Sequence, residues 1–422
     1  MVALIPSKTR AVRVNRNASR ALFEELTSFR QFNGATKLGV FVLGAQNFPT
    51  FTNEFWTAKQ RAANRLHEIS YRACFKPQLP RFFIERLTKP GDVVFDPFMG
   101  RGTTLLEAAL LGRIPSGSDI NPLCRKLIAP RLNPPTILEV QNRLAKIDFD
   151  SNVKTPGDLL VFYHPRTLQQ LCSLKSYLLK EKKRHLLDSV DGWIQMVALN
   201  RLTGHSPGFF SVYTLPPNQA VSIESQLRIN KRLGQKPEFR SVPDLILAKT
   251  KKLIGNLSDA DREILRHGGS KAKILIRSCE SLPEIADNSV DLVVTSPPFL
   301  NVVDYAGDNW LRNWFVGLDE NAAQFVIHKK LPDWEASMGH ALAEIYRILK
   351  PGGWVAFEVG EIQRGQIQLE DSIITAGIAA GLVPELVLIN SQRFTKTANC
   401  WGVRNNDLGT NTNRVVLFKK AD

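Results

Sequence analysis

The sequence predicts an α/β fold: a doubly wound sheet interrupted by a largely helical segment. Three observations predict it. A buried-looking run, Val93-Val94-Phe95, leads through a glycine-bearing turn into a helical pattern and then a second strand. Strand-like and helix-like runs alternate again from residue 273 to the end. Between them, residues 136–272 break the alternation and read almost entirely as helix.

The elements follow in order. The first thirty residues carry Lys8, Arg10, Arg13, Arg16, Arg20 and Arg30 against Glu24 and Glu25, which reads as a basic arm over 1–54 leading into a short helix. From about Phe55 to Leu87 the pattern is helical, broken near Pro77 and Pro80. Lys89-Pro90-Gly91-Asp92 is a turn, and Val93-Val94-Phe95 a strand. Asp96 to Gly102 is a loop, Thr103 to Leu111 a helix, and Ile114 to Ser118 a strand ending at Asp119. Lys273 to Ile276 and Val290 to Val294 are strands, Ala336 to Leu349 a helix, and Trp354 to Val359 a strand. Leu386 to Ile389 and Arg414 to Phe418 read as a hairpin-like pair at the sheet edge. The expected division is the arm over 1–54, an α/β domain over 55–135 and 273–422, and an insertion over 136–272.

Composition narrows the function classes. The chain is 43% hydrophobic and 23% charged over 422 residues, an ordinary globular balance. No stretch of membrane-spanning length is free of polar residues, and no signal-peptide core opens the sequence, so a cytoplasmic protein with no membrane partner is expected. Cys74, Cys124, Cys172, Cys279 and Cys400 are odd in number and scattered, without metal-ligand spacing. A formal net charge of +15 points to a polyanion partner.

The first loop has the makings of a ligand site. Gly100 and Gly102 sit between a buried strand and a helix, where the backbone has to approach a ligand closely. The helix beyond, opening on Thr103 and Thr104, offers backbone N–H groups. Asp119, at the end of the next strand, suits the two hydroxyls of a ribose. Leu105 stands where a dinucleotide fingerprint would want its third glycine. Tight turns and a helix cap are the plain structural alternatives.

Asp96-Pro97-Phe98-Met99-Gly100-Arg101-Gly102-Thr103-Thr104, followed by Asp119-Ile120-Asn121-Pro122, resembles the cofactor motifs of the amino-methylating (N4-cytosine/N6-adenine) DNA methyltransferases. Thr295-Ser296-Pro297-Pro298-Phe299 resembles their catalytic motif, in the serine form typical of the cytosine-N4 branch. Phe75-Lys76-Pro77-Gln78-Leu79-Pro80 matches the family's stretch before the first strand. The resemblance covers about 75–135 and 273–420. It implies a Rossmann-like S-adenosylmethionine-dependent methyltransferase sheet. It also implies a cofactor held by Phe75, Asp96, Pro97, Phe98, Gly100, Gly102, Thr103 and Asp119. Where the family often has Asp after its third strand this chain reads Ile276-Arg277-Ser278-Cys279-Glu280, and Ser278 is the candidate contact to the cofactor's adenine.

The chemistry fits these residue types. An exocyclic amine is a poor nucleophile because its lone pair is delocalised into the ring. Ser296 Oγ and the Pro297 carbonyl can hold its hydrogens and draw the nitrogen toward tetrahedral geometry. Pro297 and Pro298 stiffen the loop, and Phe299 offers a stacking face for a base taken out of the duplex. Neither a metal nor a covalent nucleophile is required.

Recognition of duplex DNA needs a second surface, and the insertion is the candidate. Lys175, Lys180, Lys182, Lys183 and Arg184 form one basic group; Arg228, Lys231, Arg232, Lys236 and Arg240 form another. Between them Gly204-His205-Ser206-Pro207-Gly208-Phe209-Phe210-Ser211-Val212-Tyr213 mixes turn residues, aromatics and polar groups, a composition suited either to base contact through His205 and the rings or to local packing. Asp304, Tyr305, Asn309, Trp310 and Arg312, and the polar loop Thr395 to Asn413 with Lys396, Trp401 and Arg404, are expected to line the pocket by position. A restriction endonuclease of the same system is a further partner the resemblance leaves open. Adenine N6, guanine N2 of RNA, and DNA binding without catalysis are the competing readings.

Overall fold

We describe the fold from a computed structural model. It describes every residue except 1–15, 33, 58–62, 73, 215–219, 299–304, 319–329, 360, 363–366 and 392–411. For 16–19, 305–306, 361–362, 367–368 and 412 it describes the backbone alone. The strands are β1 (Lys37–Leu43), β2 (Gln46–Asn53), β3 (Val93–Asp96), β4 (Ile114–Asp119), β5 (Lys273–Ile276), β6 (Val290–Thr295), β7 (Leu349–Val359), β8 (Glu361–Ile362), β9 (Ile367–Gln368), β10 (Val383–Ser391) and β11 (Thr412–Lys419). The chain is organised as two compact units, one of Met1–Thr57, Glu280–Val294 and Glu335–Asp422, the other of Ala58–Cys279 and Thr295–Trp334.

In the first unit the strand order is β1-β2-β10-β11-β7-β6. β11 runs antiparallel to both β10 and β7, and β10 runs parallel to β2. The helix Leu369–Ala379 packs on this sheet so closely that a Cβ on Gly377 would lie 2.4 Å from the Phe418 ring. Two expectations are corrected here. Residues 37–53 are not part of an extended arm: they form a β1–β2 hairpin around Gly44 that adds two strands beside β10. The β10–β11 pair is therefore inside the sheet, not at its edge. The sequence hid β1 because Leu38, Val40 and Val42 stay more than 60% exposed and only Phe41 is buried, so the alternation does not mark a core face.

In the second unit β3, β4 and β5 are parallel, in that order. The glycine loop and helix Thr103–Leu110 connect β3 to β4, and the helix Asp259–Lys271 packs against β4 before the chain enters β5. This is a Rossmann-like α/β arrangement. Helix boundaries follow local chemistry. Asn121 caps Pro122–Leu132 by accepting Leu123 N–H, with proline at the first helical position. Thr136 with Glu139, Asp188 with Asp191 and Ser258 with Asp261 close capping boxes, each worth about 1 kcal/mol or somewhat more.

The segment 136–272 is helical as expected, but it does not stand apart as a separate packed body. Leu105, Leu127 and Ile128 from the glycine-loop side share one core with Phe162, Trp193, Met196, Ile246 and Leu253. The helical reading of 55–87 is also corrected: among the described residues of that stretch, only Gln78–Leu87 is a regular α-helix, preceded by one 3-10 turn at Arg65–His67. No helix among the described residues is long and apolar enough to cross a membrane.

Candidate active site

The glycine loop is stitched at both ends. Asp119, at the carboxyl end of β4, accepts Gly100 N–H through Oδ2 at 2.9 Å and Asn121 N–H through Oδ1 at 2.8 Å. Met99 N–H donates to the Ser118 carbonyl at 3.0 Å, and Ser118 Oγ to the Pro97 carbonyl at 3.1 Å. Gly102 takes φ +75°, and a Cβ there would lie 2.6 Å from the Ile128 side chain, so only glycine fits. Burial raises the Asp119 carboxyl above its ordinary pKa, against the pull of the Asn121 and Gly100 N–H groups.

Asp96, at the end of β3, sits behind this loop. Its carboxylate is buried and its Oδ1 accepts the Thr295 hydroxyl at 2.7 Å and Phe98 N–H at 3.1 Å. Burial pushes it up to about 7, opposed by bonds from Thr295, Phe98 and Thr104. Asp96 Oδ1 is thus engaged by the protein's own loops.

Thr295 is the last residue of β6, and Ser296, Pro297 and Pro298 follow it directly. Ser296 is half-buried and Pro297 buried. The Pro298 carbonyl accepts Trp334 Nε1–H at 3.1 Å, which holds the loop from its far side. Phe299 lies outside the described residues.

Several residues that the sequence did not nominate support the loop from below. Arg101, between the two glycines, is buried: its guanidinium donates to the Ile69 carbonyl at 2.6 Å, the His67 carbonyl at 3.3 Å and Thr103 Oγ1 at 3.1 Å. Arg131 donates in turn to the Arg101 carbonyl and to that of Leu66, and burial takes it down to about 9. Tyr71 lies against Gly100, its ring 3.6 Å from where a Cβ would be, and its hydroxyl accepts Asn121 Nδ2–H at 3.0 Å. The carbonyls of His67, Ile69 and Leu66 that these two arginines reach stand thirty-two to sixty-five residues away in sequence, so no local pattern marks them. Thr103 is buried at the start of its helix, Phe75 is half-buried just before Gln78–Leu87, and Ser278 is exposed two residues past β5, whose Ile276 pairs with Asp119.

The expected DNA-facing residues divide. Lys182, Lys183 and Arg184 are exposed at the end of helix Pro165–Lys183, with Arg184 bonded to Glu181 at 3.0 Å. Arg228, Lys231 and Arg232 are exposed on helix Ile223–Leu233, and His205 is exposed in its loop. Arg240 is corrected: its guanidinium grips the carbonyls of Ser206, Phe209 and Ser211 and braces that loop from inside. Phe209 and Phe210 are buried, so their rings are core rather than a wedge. Asn309 and Arg312 are likewise internal, Arg312 donating to Asn309 Oδ1 at 2.8 Å and to the Ser70 carbonyl at 3.0 Å. Trp310 donates to the Val221 carbonyl at 3.3 Å. Asp304, the Tyr305 side chain and residues 395–411, with Lys396, Trp401 and Arg404, lie outside the described residues.

A family model for DNA methylases of the N6/N4 class matches residues 6–129, which contain the Asp96–Thr104 loop and Asp119. The type II methyltransferase M.BsoBI of Geobacillus stearothermophilus is 25% identical over 295 residues, 64% of this chain and 56% of its own. The type II methyltransferase M.MvaI of Kocuria varians is 25% identical over 251 residues, 54% of this chain and 52% of its own. The chain is similar to DNA methylases of the N6/N4 class over residues 6–129 and, at 25% identity, to these two type II methyltransferases. It spans about half the length of these two relatives of the DNA methylase family. Among solved structures, TrmN from Thermus thermophilus overlaps 92% of this chain and 60% of its own at 13% identity, with a TM-score of 0.33.

Proposed function

We propose that the chain transfers a methyl group from S-adenosylmethionine to the exocyclic N4 of cytosine in duplex DNA, after the base has left the stack. One observation carries this reading. Ser296 follows Thr295, and Thr295 is bonded to Asp96, the residue that opens the glycine loop, so the loop that would hold the amine is anchored to the loop that would hold the methyl donor.

The residues present fit a nucleoside cofactor. The left-handed backbone at Gly102 lets the chain turn tightly into helix Thr103–Leu110, so that a helix N-terminus opens directly after the glycine loop. The Asp119 oxygens take the Gly100 and Asn121 N–H groups with the Cys124 thiol beside them, and a carboxylate has acceptor capacity left for a ribose hydroxyl. Phe75 and Ser278 would flank the adenine. Bound there, S-adenosylmethionine supplies a methyl group already activated on a sulfonium. What remains for the protein is alignment, which can supply about 7–11 kcal/mol of a barrier.

Ser296 Oγ and the Pro297 carbonyl accept the two amine hydrogens, and Phe299 stacks on the ring. Pro298 is not the acceptor, because its carbonyl is turned to Trp334. The serine form of the motif favours cytosine over adenine. The helical segment 136–272 supplies the DNA-facing surface through Lys182, Lys183, Arg184, His205, Arg228, Lys231 and Arg232, and the type II relatives extend the reading to a cognate endonuclease acting at the same sequence.

The experiment is direct. The protein is incubated with labelled S-adenosylmethionine and unmethylated DNA, the DNA is digested to nucleosides, and the product is identified by mass spectrometry. N4-methylcytosine is expected. N6-methyladenine overturns the target base, label found only in RNA overturns the substrate, and no cofactor binding by calorimetry overturns catalysis.

A further inference from the structure

Lys249 and Lys252 converge on one carboxylate in the second unit, and the charge of Arg201 acts on the same group. Glu68 Oε2 lies 3.1 Å from Lys249 Nζ and 2.8 Å from Lys252 Nζ. The Lys249 side chain is only 7% exposed. The Arg201 guanidinium stacks 4.0 Å from the centre of the Phe209 ring and donates to the Asn200 carbonyl at 2.8 Å. Two lysines thus share one acid, with the Arg201 charge acting on both Lys249 and Glu68, so positive charge is in excess there.

That arrangement is costly as it stands. Burial and the neighbouring Arg201 take Lys249 down to about 8 in spite of Glu68, and burial takes Arg201 down to about 10. A further anion would relieve this cost by balancing the excess positive charge. A phosphodiester suits the place: it is compact, always charged, and accepts several N–H donors at once.

The surroundings are rigid and lie close to the site in the chain. Gly204 N–H donates to Ser211 Oγ at 3.2 Å and Thr214 N–H to the Gly204 carbonyl at 3.0 Å, while Arg240 holds three further carbonyls of the loop. His205 is exposed beside Phe209, with ring centres 6.0 Å apart. From Glu68 the chain runs on to Ser70, whose N–H donates to Asn200 Oδ1 at 2.9 Å, and to Tyr71 against Gly100. The cluster and the glycine loop are therefore tied to the same short segment.

We propose that Arg201, Lys249 and Lys252 form a seat for a backbone phosphate of duplex DNA, with His205 at its rim. This rests on the DNA reading above. Lys249 and Lys252 are neighbours on the helix Val242–Ile254, and only the fold brings Glu68 and Arg201 to them.

The test uses the full chain and a cytosine-containing duplex, with binding followed by fluorescence anisotropy from about 50 to 300 mM salt. Arg201→Gln, Lys252→Gln and Lys249→Met should each weaken binding several-fold. Each should also flatten the salt dependence by about one unit of slope for a lost phosphate contact. Lys249→Met should melt no lower than the wild type, since it removes a buried charge and leaves Glu68 with Lys252. Variants that bind with wild-type affinity and slope overturn the seat. So does a Lys249→Met protein that melts well below the wild type while Lys252→Gln binds normally, which would make the cluster structural. Inorganic phosphate is the second probe: if it raises the melting temperature as much as the duplex does, the seat belongs to free phosphate and the DNA assignment falls. A wild-type chain that binds no duplex at all overturns the underlying DNA reading, a result distinct from any of these.

Discussion

Thr295 donates its hydroxyl hydrogen to Asp96 Oδ1 at 2.7 Å, with both side chains buried. The bond joins the carboxyl ends of two strands and fixes the residue immediately before Ser296. Thr295→Val leaves a buried carboxylate short of one donor, a loss of about 1–3 kcal/mol. Turnover should fall about tenfold or more while the Michaelis constant for the cofactor changes little, and Thr295→Ser should restore most of it. Steady-state kinetics on the three proteins check this; equal turnover in all of them removes the bond from the mechanism.

Ser296→Ala removes one of the two acceptors proposed for the amine. Binding of S-adenosylmethionine by calorimetry should match the wild type, and single-turnover methylation should slow by about a hundredfold, the scale seen when one preorganised hydrogen-bonding group is deleted. A variant that methylates at the wild-type rate would take Ser296 out of the reaction.

Gly102→Ala places a methyl group against Ile128 at a backbone angle that alanine rarely adopts. Destabilisation of about 2 kcal/mol or more is expected, together with weaker cofactor binding. Thermal melting and calorimetry report the two effects, and a variant that melts with the wild type contradicts the packing described.

Asp96 also sets a pH dependence. Its folded pKa, about 7, lies above the ordinary 3.8, so the folded protein holds a proton there that the unfolded chain releases. Its contribution to stability is greatest at low pH and declines as pH rises from about 4 to 7. His67 works the other way: burial lowers it to about 4, so its contribution is present at neutral pH and is lost as pH falls from about 6.5 to 4. Asp96→Asn should therefore leave a protein whose stability rises with pH more steeply than the wild type's over that interval. Urea titrations at several pH values measure it, and parallel curves for the two proteins would refute it.

Phe210 is 1% exposed. Phe210→Ala should cost about 3–5 kcal/mol of stability, as a core deletion does. A variant that weakens DNA binding without lowering the melting temperature would make the ring a DNA contact and contradict a core role.

The sequence by itself determined the parts with a short range. A strand, a glycine loop, a helix and a terminal acid follow one another within about twenty-five residues, so Asp96 to Asp119 were readable, as was Thr295 to Phe299. Capping pairs such as Thr136 with Glu139 are equally local. Tertiary structure alone decided the rest. It turned Asp96 inward to Thr295, 199 positions away, and made Arg240 a brace and Phe209 and Phe210 core. It drew Glu68 and Lys249 together across 181 positions. It also folded residues 37–53 into the sheet through pairing with β10. The physical reason is common to all of these. A side chain's charge and hydrogen-bonding capacity are fixed by its type, but its partner and its exposure are set by which distant segment packs against it, and no periodicity in the sequence records that choice.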